Sequence, residues 1–257
     1  MRIYRKTHAL LILFLLASVV LYSEGQIDAD FIQKNYEFSD FDSLAVHGYF
    51  RVRVIKSESW DILISCSRED EKKIKLRRNN NIFEISYREG SLTGFSSPVI
   101  IISMPQLRSV DLSGSVQMEA GGFSSSSNLE IHMEAGSFLN LNGIECTEAH
   151  FSLNGSCELH AFLSARSINI DSQGNSIVRM GGRGEDFLLQ SEGPSRFDGS
   201  LLLVDNVDLR LTGLCEVRIT PDIQMTVSST DMAIVYYSDK YMDVPPVVEG
   251  DVILRKY

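Results

Sequence analysis

The stretch FSLNGSCELHAF, residues 151–162, decides how this chain is read. Phe151, Leu153, Cys157, Leu159 and Ala161 alternate with polar residues, as in a strand that buries one face. Gly155 stands on that same face, where it has no side chain to bury and weakens an ordinary strand. VDLSGSVQMEA (110–120) repeats the arrangement around Gly114, and VDLRLTGLCEVRI (207–219) repeats it around Gly213.

Laid over one another, these segments form seven copies. Their centres are Gly114, Ala135, Gly155, Gly174, Gly193, Gly213 and Asp231, spaced 21, 20, 19, 19, 20 and 18 residues apart. Four residues before each centre stand Val110, Ile131, Phe151, Ile170, Leu189, Leu209 and Val227; four after stand Met118, Leu139, Leu159, Val178, Phe197, Val217 and Val235. Both columns are apolar throughout, while the residue just before each centre is polar, as in Ser113, Asn154 and Gln173. Each copy is therefore a pair of period-2 strands sharing one buried face and meeting at a small residue.

A fixed period near 20 residues with strands and no helix is the pattern of a solenoid, in which stacked copies bury the face that one copy cannot bury alone. The asparagine and helical segment of a leucine-rich repeat are missing, and so is the six-residue rhythm of a left-handed hexapeptide helix. The expected fold is all-β: a right-handed parallel β-helix with about seven regular coils of 18–21 residues and a less regular strand-rich N-terminal part. Glycine then has a role at the corner between two strands, where inward side chains collide and a positive φ lets the coil bend. Asp231 is the exception in that column, and it falls in the last copy, where an atypical cap is expected.

Ahead of the repeats, Arg2, Arg5 and Lys6 precede the apolar run ALLILFLLASVVLY (9–22), and Ser23-Glu24-Gly25 supplies small residues at the −3 and −1 positions of a cleavage site. Fourteen apolar residues are short for a span of about 20, so residues 1–25 read as an export signal, 26–40 as a lead-in and 41–257 as the β-helical domain. Without the signal, 21 basic and 33 acidic side chains leave a net charge of −12, which argues against nucleic acid and anionic membrane surfaces as partners.

FDSLAVHGYFRVRV (41–54) carries the two strands and central glycine once more. WDILISC (60–66), IFEISY (82–87) and VIIISM (99–104) are further strands, and the charged run REDEKKIKLRR (68–78) reads as a turn leading into a strand, with a short helix as the alternative.

FDSLAVHGYFRVRV, IFEISY and VIIISMPQLRSVDLSGSVQMEA together resemble the start of the bacterial auto-transporter adhesin head domain, the GIN domain (DUF2807). The step Met104-Pro105-Gln106-Leu107 and the LSGS of 112–115 are the most specific parts, and the resemblance runs from about Phe41 to the C-terminus. It implies an exported cell-envelope protein with a β-helical body, and it brings no catalytic residues. No barrel-forming run of strands of about ten residues follows the repeats before Tyr257, so a module without its own barrel is expected.

The repeat register also places the outward side chains. Coils stack about 4.8 Å apart, and alternate residues along a strand lie about 6.7 Å apart. Asp111 and Asp171 share a column three coils apart, about 14 Å, too far for a glycosidase pair at about 5–9.5 Å. Asp171 and Glu192 lie on a diagonal of roughly 8 Å, with no basic or aromatic groups expected around them. His47, His132, His150 and His160 fall in different columns, so no metal or other cofactor is expected. Cys157 and Cys215 share an inward column three coils apart, beyond the roughly 7 Å limit for a bridge, whereas Cys66 with Cys146 stays open. Outward aromatics are Phe138, Tyr236, Tyr241 and Tyr257, the tyrosines and VPPVV (244–248) reading as a cap on the last coil.

The densest charged patch is Arg179, Arg196, Asp198, Glu216 and Arg218, on successive coils. It reads either as a solvated ion-pair lattice or as a docking surface for an acidic glycan or an envelope protein. The expected function is a non-enzymatic adhesin or scaffold of the periplasm or cell surface, with a polysaccharide lyase or hydrolase on the same fold as the alternative.

Overall fold

Backbone hydrogen bonds between successive copies turn the 20-residue period into a parallel β-helix. A computed structural model describes residues 31–88, 97–125, 127–134, 136–242 and 244–257, with Ile32–Tyr257 forming one continuous unit. Residues 1–30, which include the expected export signal, and Ala135 lie outside the described residues.

The regular body consists of β8 (Ser109–Gly114), β9 (Gln117–Gly121), β10 (Leu129–Glu134), β11 (Phe138–Asn154), β12 (Glu158–Gln173), β13 (Ile177–Glu192), β14 (Arg196–Thr212) and β15 (Glu216–Tyr237). From β11 onward, the second strand of one copy and the first strand of the next are a single strand that bends in the middle. Pairing is parallel and in the expected register. Val110, Ile131, Phe151, Ile170, Leu189, Leu209 and Val227 stack in one column, and Met118, Leu139, Leu159, Val178, Phe197 and Val217 in another. All of these side chains are buried, and Phe187 meets Phe197 at 5.1 Å between ring centroids inside the coil. Burying each such side chain contributes about 1.5–3 kcal/mol, so the column pattern is the main source of stability.

The corners carry positive φ at Gly155 (86°), Gly174 (103°), Gly193 (105°) and Gly213 (91°). A Cβ on Gly174 would sit 3.0 Å from Gly155 Cα and 3.1 Å from its carbonyl oxygen. The corner N–H groups donate to the next coil: Gly155 to Gln173 O at 2.7 Å, Gly174 to Glu192 O at 2.8 Å and Gly193 to Thr212 O at 2.8 Å. Gly213 has a different partner, since its N–H donates to Asp231 Oδ2 at 3.0 Å. The side chain of Asp231 thus takes the place of the backbone acceptor used at the other corners, which explains an aspartate in a glycine column; its copy is not the last, since β16 stacks beyond it. Next to Ala135, Gly136 takes φ 87° and donates to Ser156 O at 3.0 Å.

The N-terminal part departs from chain order. β1 (Phe31–Tyr36), β2 (Ser43–Gly48), β3 (Arg51–Lys56), β4 (Asp61–Ser67), α1 (Arg68–Lys73), β5 (Ile74–Asn79), β6 (Ile82–Tyr87) and β7 (Val99–Met104) precede the repeats. β2 and β3 form a coil stacked in parallel on β8 and β9. β6 and β7 then add in parallel on its far side, and the reversed strands β5 and β4 pair antiparallel with them at the end of the stack. Exposed Arg77 and Arg78 on the outer strand β5 oppose edge-to-edge pairing. The charged run therefore begins as a helix rather than a turn: Ser67 Oγ accepts the Asp70 N–H at 3.0 Å, and three acidic residues occupy the first turn.

At the other end, β16 (Val247–Lys256) follows Pro245 and Pro246 and pairs in parallel with β15. The prolines do not stop the ladder, because they precede the strand rather than lie within it. Tyr241 and Tyr257 are about half exposed and do not cover β16, whose Val247 and Ile253 are also exposed. All four cysteines are free thiols, which answers the question left open for Cys66 and Cys146. Burial pushes both of those thiols up to about 11, with Asp70 and Glu71 adding to the effect at Cys66.

Gly174→Val is expected to cost at least about 2 kcal/mol, since it forces a β-branched residue to positive φ against the coil below, whereas Gln173→Val stays within about 1 kcal/mol. Urea denaturation of both variants checks this, and equal losses exclude Gly174 as the corner. Phe197→Ala should cost about 3–5 kcal/mol, measured the same way; a loss under about 1 kcal/mol contradicts its burial.

Candidate functional site

The register that stacks apolar residues inward also stacks polar residues outward. One outward column runs Arg53, Glu119, Asn140, His160, Arg179, Asp198 and Arg218, with consecutive members paired on neighbouring strands. Arg218 lies over the Tyr236 ring, 5.0 Å from its centroid, and Arg255 approaches the same ring at 5.8 Å. A second column, two residues back along each strand, runs Phe138, Glu158, Ile177, Arg196 and Glu216. Arg179, Arg196, Asp198, Glu216 and Arg218 are therefore brought together on one face, as their spacing in the repeats implies.

The charges alternate and pair. Arg179 Nη1 donates to Glu158 Oε1 at 2.8 Å and lies 2.6 Å from His160 Nε2; Arg196 Nη2 lies 3.4 Å from Glu216 Oε2, and Arg53 Nη2 lies 3.2 Å from Glu119 Oε2. Phe138 packs edge-on against the His160 ring at 5.3 Å. These exposed pairs contribute about 0–1 kcal/mol each, so they define the face without holding the fold together. Asp198 is more deeply set. Burial raises its carboxyl, but hydrogen bonds from the Ser200 hydroxyl (2.7 Å) and N–H (3.1 Å), with Arg218 and Arg179 nearby, outweigh burial and hold it below the usual carboxylate range.

Those bonds span a β-bulge. Arg179 pairs with Asp198, but Gly181 pairs with Leu201, so β14 carries an extra residue there and its in–out alternation changes phase. Leu201, which simple alternation turns inward, is 79% exposed. Phe162, which pairs with Gly181 from the other side, is 55% exposed. Phe162 and Leu201 thus flank a glycine immediately beside the charged column. Neither is among the residues the repeat pattern singles out; the outward parity of Phe162 is the signal that finds it, whereas the bulge hides Leu201.

The remaining sequence candidates are dispersed. Asp171 Oδ1 accepts from Gln190 Nε2 in its own column at 2.6 Å, and its other oxygen lies 3.5 Å from His150 Nε2 in the neighbouring column, so a basic group does stand beside this carboxylate. His47 Nδ1 lies 2.7 Å from Ser113 Oγ, and His132 Nε2 lies 3.7 Å from Glu134 Oε1. Among the described residues, no three His, Cys, Asp or Glu side chains cluster as metal ligands.

The depressed Asp198 titration has a signed consequence. Its charged form stabilises the fold above the ordinary carboxylate value, and that contribution is lost as pH falls through the lower folded value. Wild type should therefore lose more stability than Asp198→Asn between pH 7 and about pH 3, by less than about 1 kcal/mol at this partly exposed site. Urea titrations at both pH values check this; an equal loss removes Asp198 from the charged network.

Comparison with known proteins bears on the fold and the lineage. A putative adhesin from Parabacteroides distasonis, at 14% identity, superposes with a TM-score of 0.73 over 89% of this chain and 96% of that one. One from Parabacteroides merdae, also at 14%, gives 0.73 over 90% and 97%. A putative lipid binding protein from Parabacteroides distasonis, at 11%, gives 0.68 over 90% and 98%. At these identities the likeness is one of fold. No curated protein matches the chain. Residues 40–240 match the family described as the putative auto-transporter adhesin, head GIN domain, so most of the coiled body described above is accounted for by one family, and the chain belongs to it.

Proposed function

We propose that this protein is a non-enzymatic, exported module of the bacterial cell envelope, an adhesin or scaffold that docks a glycan or an envelope protein along its charged face. The observation that carries this reading is the outward column from Arg53 to Arg218, continued by Tyr236 and Arg255, on a rigid sheet whose hydrogen bonds fix its spacing. Repeating groups about 4.8 Å apart along the axis suit an extended ligand rather than a compact one. Family membership supports the adhesive class and the envelope location, as does the apolar run of residues 9–22, a signal for export. The carboxylates of this face are engaged by arginines or by Ser200, which favours docking over acid–base chemistry.

Arg179 and Arg218 in one column, with Arg196 beside them, offer contacts to successive acidic groups of an anionic glycan. The overall negative charge opposes such a ligand at long range, so binding should be weak and fall as salt rises past about 0.1 M. Wild type and the triple variant Arg179→Ala/Arg196→Ala/Arg218→Ala, compared on an array of anionic glycans at low salt, test this. Binding lost in the triple variant supports the reading; identical binding by both, or none by either, leaves these residues as a solvated lattice. Protease accessibility on intact cells tests the surface location, and incubation with acidic polysaccharides should leave their chain length unchanged.

A further inference from the structure

We propose that the notch over Gly181 is a binding subsite for one uncharged pyranoside ring of a glycan; this deepens the reading that the charged face docks a glycan. Asn142, Phe162, Gly181 and Leu201 form an outward column beside Asn140, His160, Arg179 and Asp198. A Cβ at Gly181 would lie 3.1 Å from Phe162 Cδ2 and 3.2 Å from Leu201 Cβ, so glycine is what lets these two side chains lean toward each other over the strand. The resulting depression holds about 270 Å³, at the small end for ligand sites and suited to a single ring.

Its chemistry is two-sided. Phe162, 55% exposed, and Leu201, 79% exposed, supply two apolar flanks that no packing need explains. The β14 bulge turns Leu201 outward, and Asp198 braces that bulge through Ser200. Beside these flanks, the carboxamides of Asn140 and Asn142 line the depression and make no hydrogen bond among the described residues. Each carboxamide offers a donor and an acceptor, the complement of a pair of neighbouring hydroxyls. Ser200 Oγ donates to Asp198 and keeps lone pairs for a further donor.

A sugar ring matches both halves, with a C–H face for Phe162 and a hydroxyl rim for the amides. An acyl chain would bury the two amides without partners, at a cost of about 1–3 kcal/mol each. A peptide adding as a strand needs an open sheet edge, but β12 and β13 are paired on both sides here. The charges on the rim cancel, since Arg179 and Asp198 carry opposite signs and are engaged by Glu158 and Ser200. An uncharged ring is therefore the fitting occupant, with charged groups of the same glycan left to the neighbouring arginines.

Saturation-transfer NMR with methyl glucoside, methyl galactoside, methyl mannoside and decanoate as separate probes tests the subsite. Wild type should transfer saturation to the ring C–H protons of at least one pyranoside. Phe162→Ala should reduce that transfer roughly fivefold, the scale of a lost aromatic stacking contact, while Phe162→Trp keeps it. Asn140→Ala/Asn142→Ala reduces it without touching the flanks, and so serves should Phe162→Ala fail to fold. Arg196→Ala/Arg218→Ala, neither of which lines the depression, should retain the pyranoside signal, so failure of the charged-face reading on anionic glycans is seen separately. No pyranoside signal with wild type, an undiminished signal in Phe162→Ala, or a Phe162-dependent signal from decanoate alone overturns the proposal.

Discussion

Everything in this fold depends on how closely the backbone passes itself at one corner. Gly174 lies against Gly155, Gly193 against Gly174 and Gly213 against Gly193, each leaving only 3.0–3.1 Å between the would-be Cβ and the backbone below. A side chain there would wedge the coils apart and break the hydrogen bonds that join them. With the corner closed, the coils stack at strand spacing, and every other residue is committed to an inward or outward column.

That commitment ties the outer face to the core. Inward, it collects Phe151, Ile170, Leu189 and Leu209 into one apolar column. Outward, it collects His160, Arg179, Asp198 and Arg218 at the same spacing, with neighbours of opposite sign relieving one another. The charged outer face is therefore a by-product of the register that builds the core, and its side chains can vary with little effect on the fold. Asp231 follows the same logic: from the next coil, its carboxylate accepts the Gly213 N–H and the coil still closes.

Local departures from the repeat are where the outer face gains its character. The bulge at Gly199 and Ser200 shifts β14 by one residue, puts Leu201 into solvent beside Phe162 and draws Asp198 partly into the surface. A strictly regular solenoid would present only an alternating charged wall. The family's adhesive description is consistent with a face that combines that wall with an apolar notch.

The sequence by itself determined the coils, because each position in the period demands one kind of residue: apolar where Val110 through Val227 stack, glycine at the corner, charge where Arg179 and Asp198 face water. It likewise determined which charged residues share a face, since parity and period place Arg179, Arg196, Asp198, Glu216 and Arg218 without further information. Tertiary structure alone decided the order of the N-terminal strands, where β6 and β7 stack outside β2 and β3 although they follow them in the chain. All four are six-residue strands with an apolar face, and nothing local distinguishes a strand added above from one added below. It also decided the exposure of Leu201: the copy spacing grows from 19 to 20 residues before Gly213, but only pairing with β13 places that extra residue as a bulge at Gly199 and Ser200, because any position along the coil could absorb it.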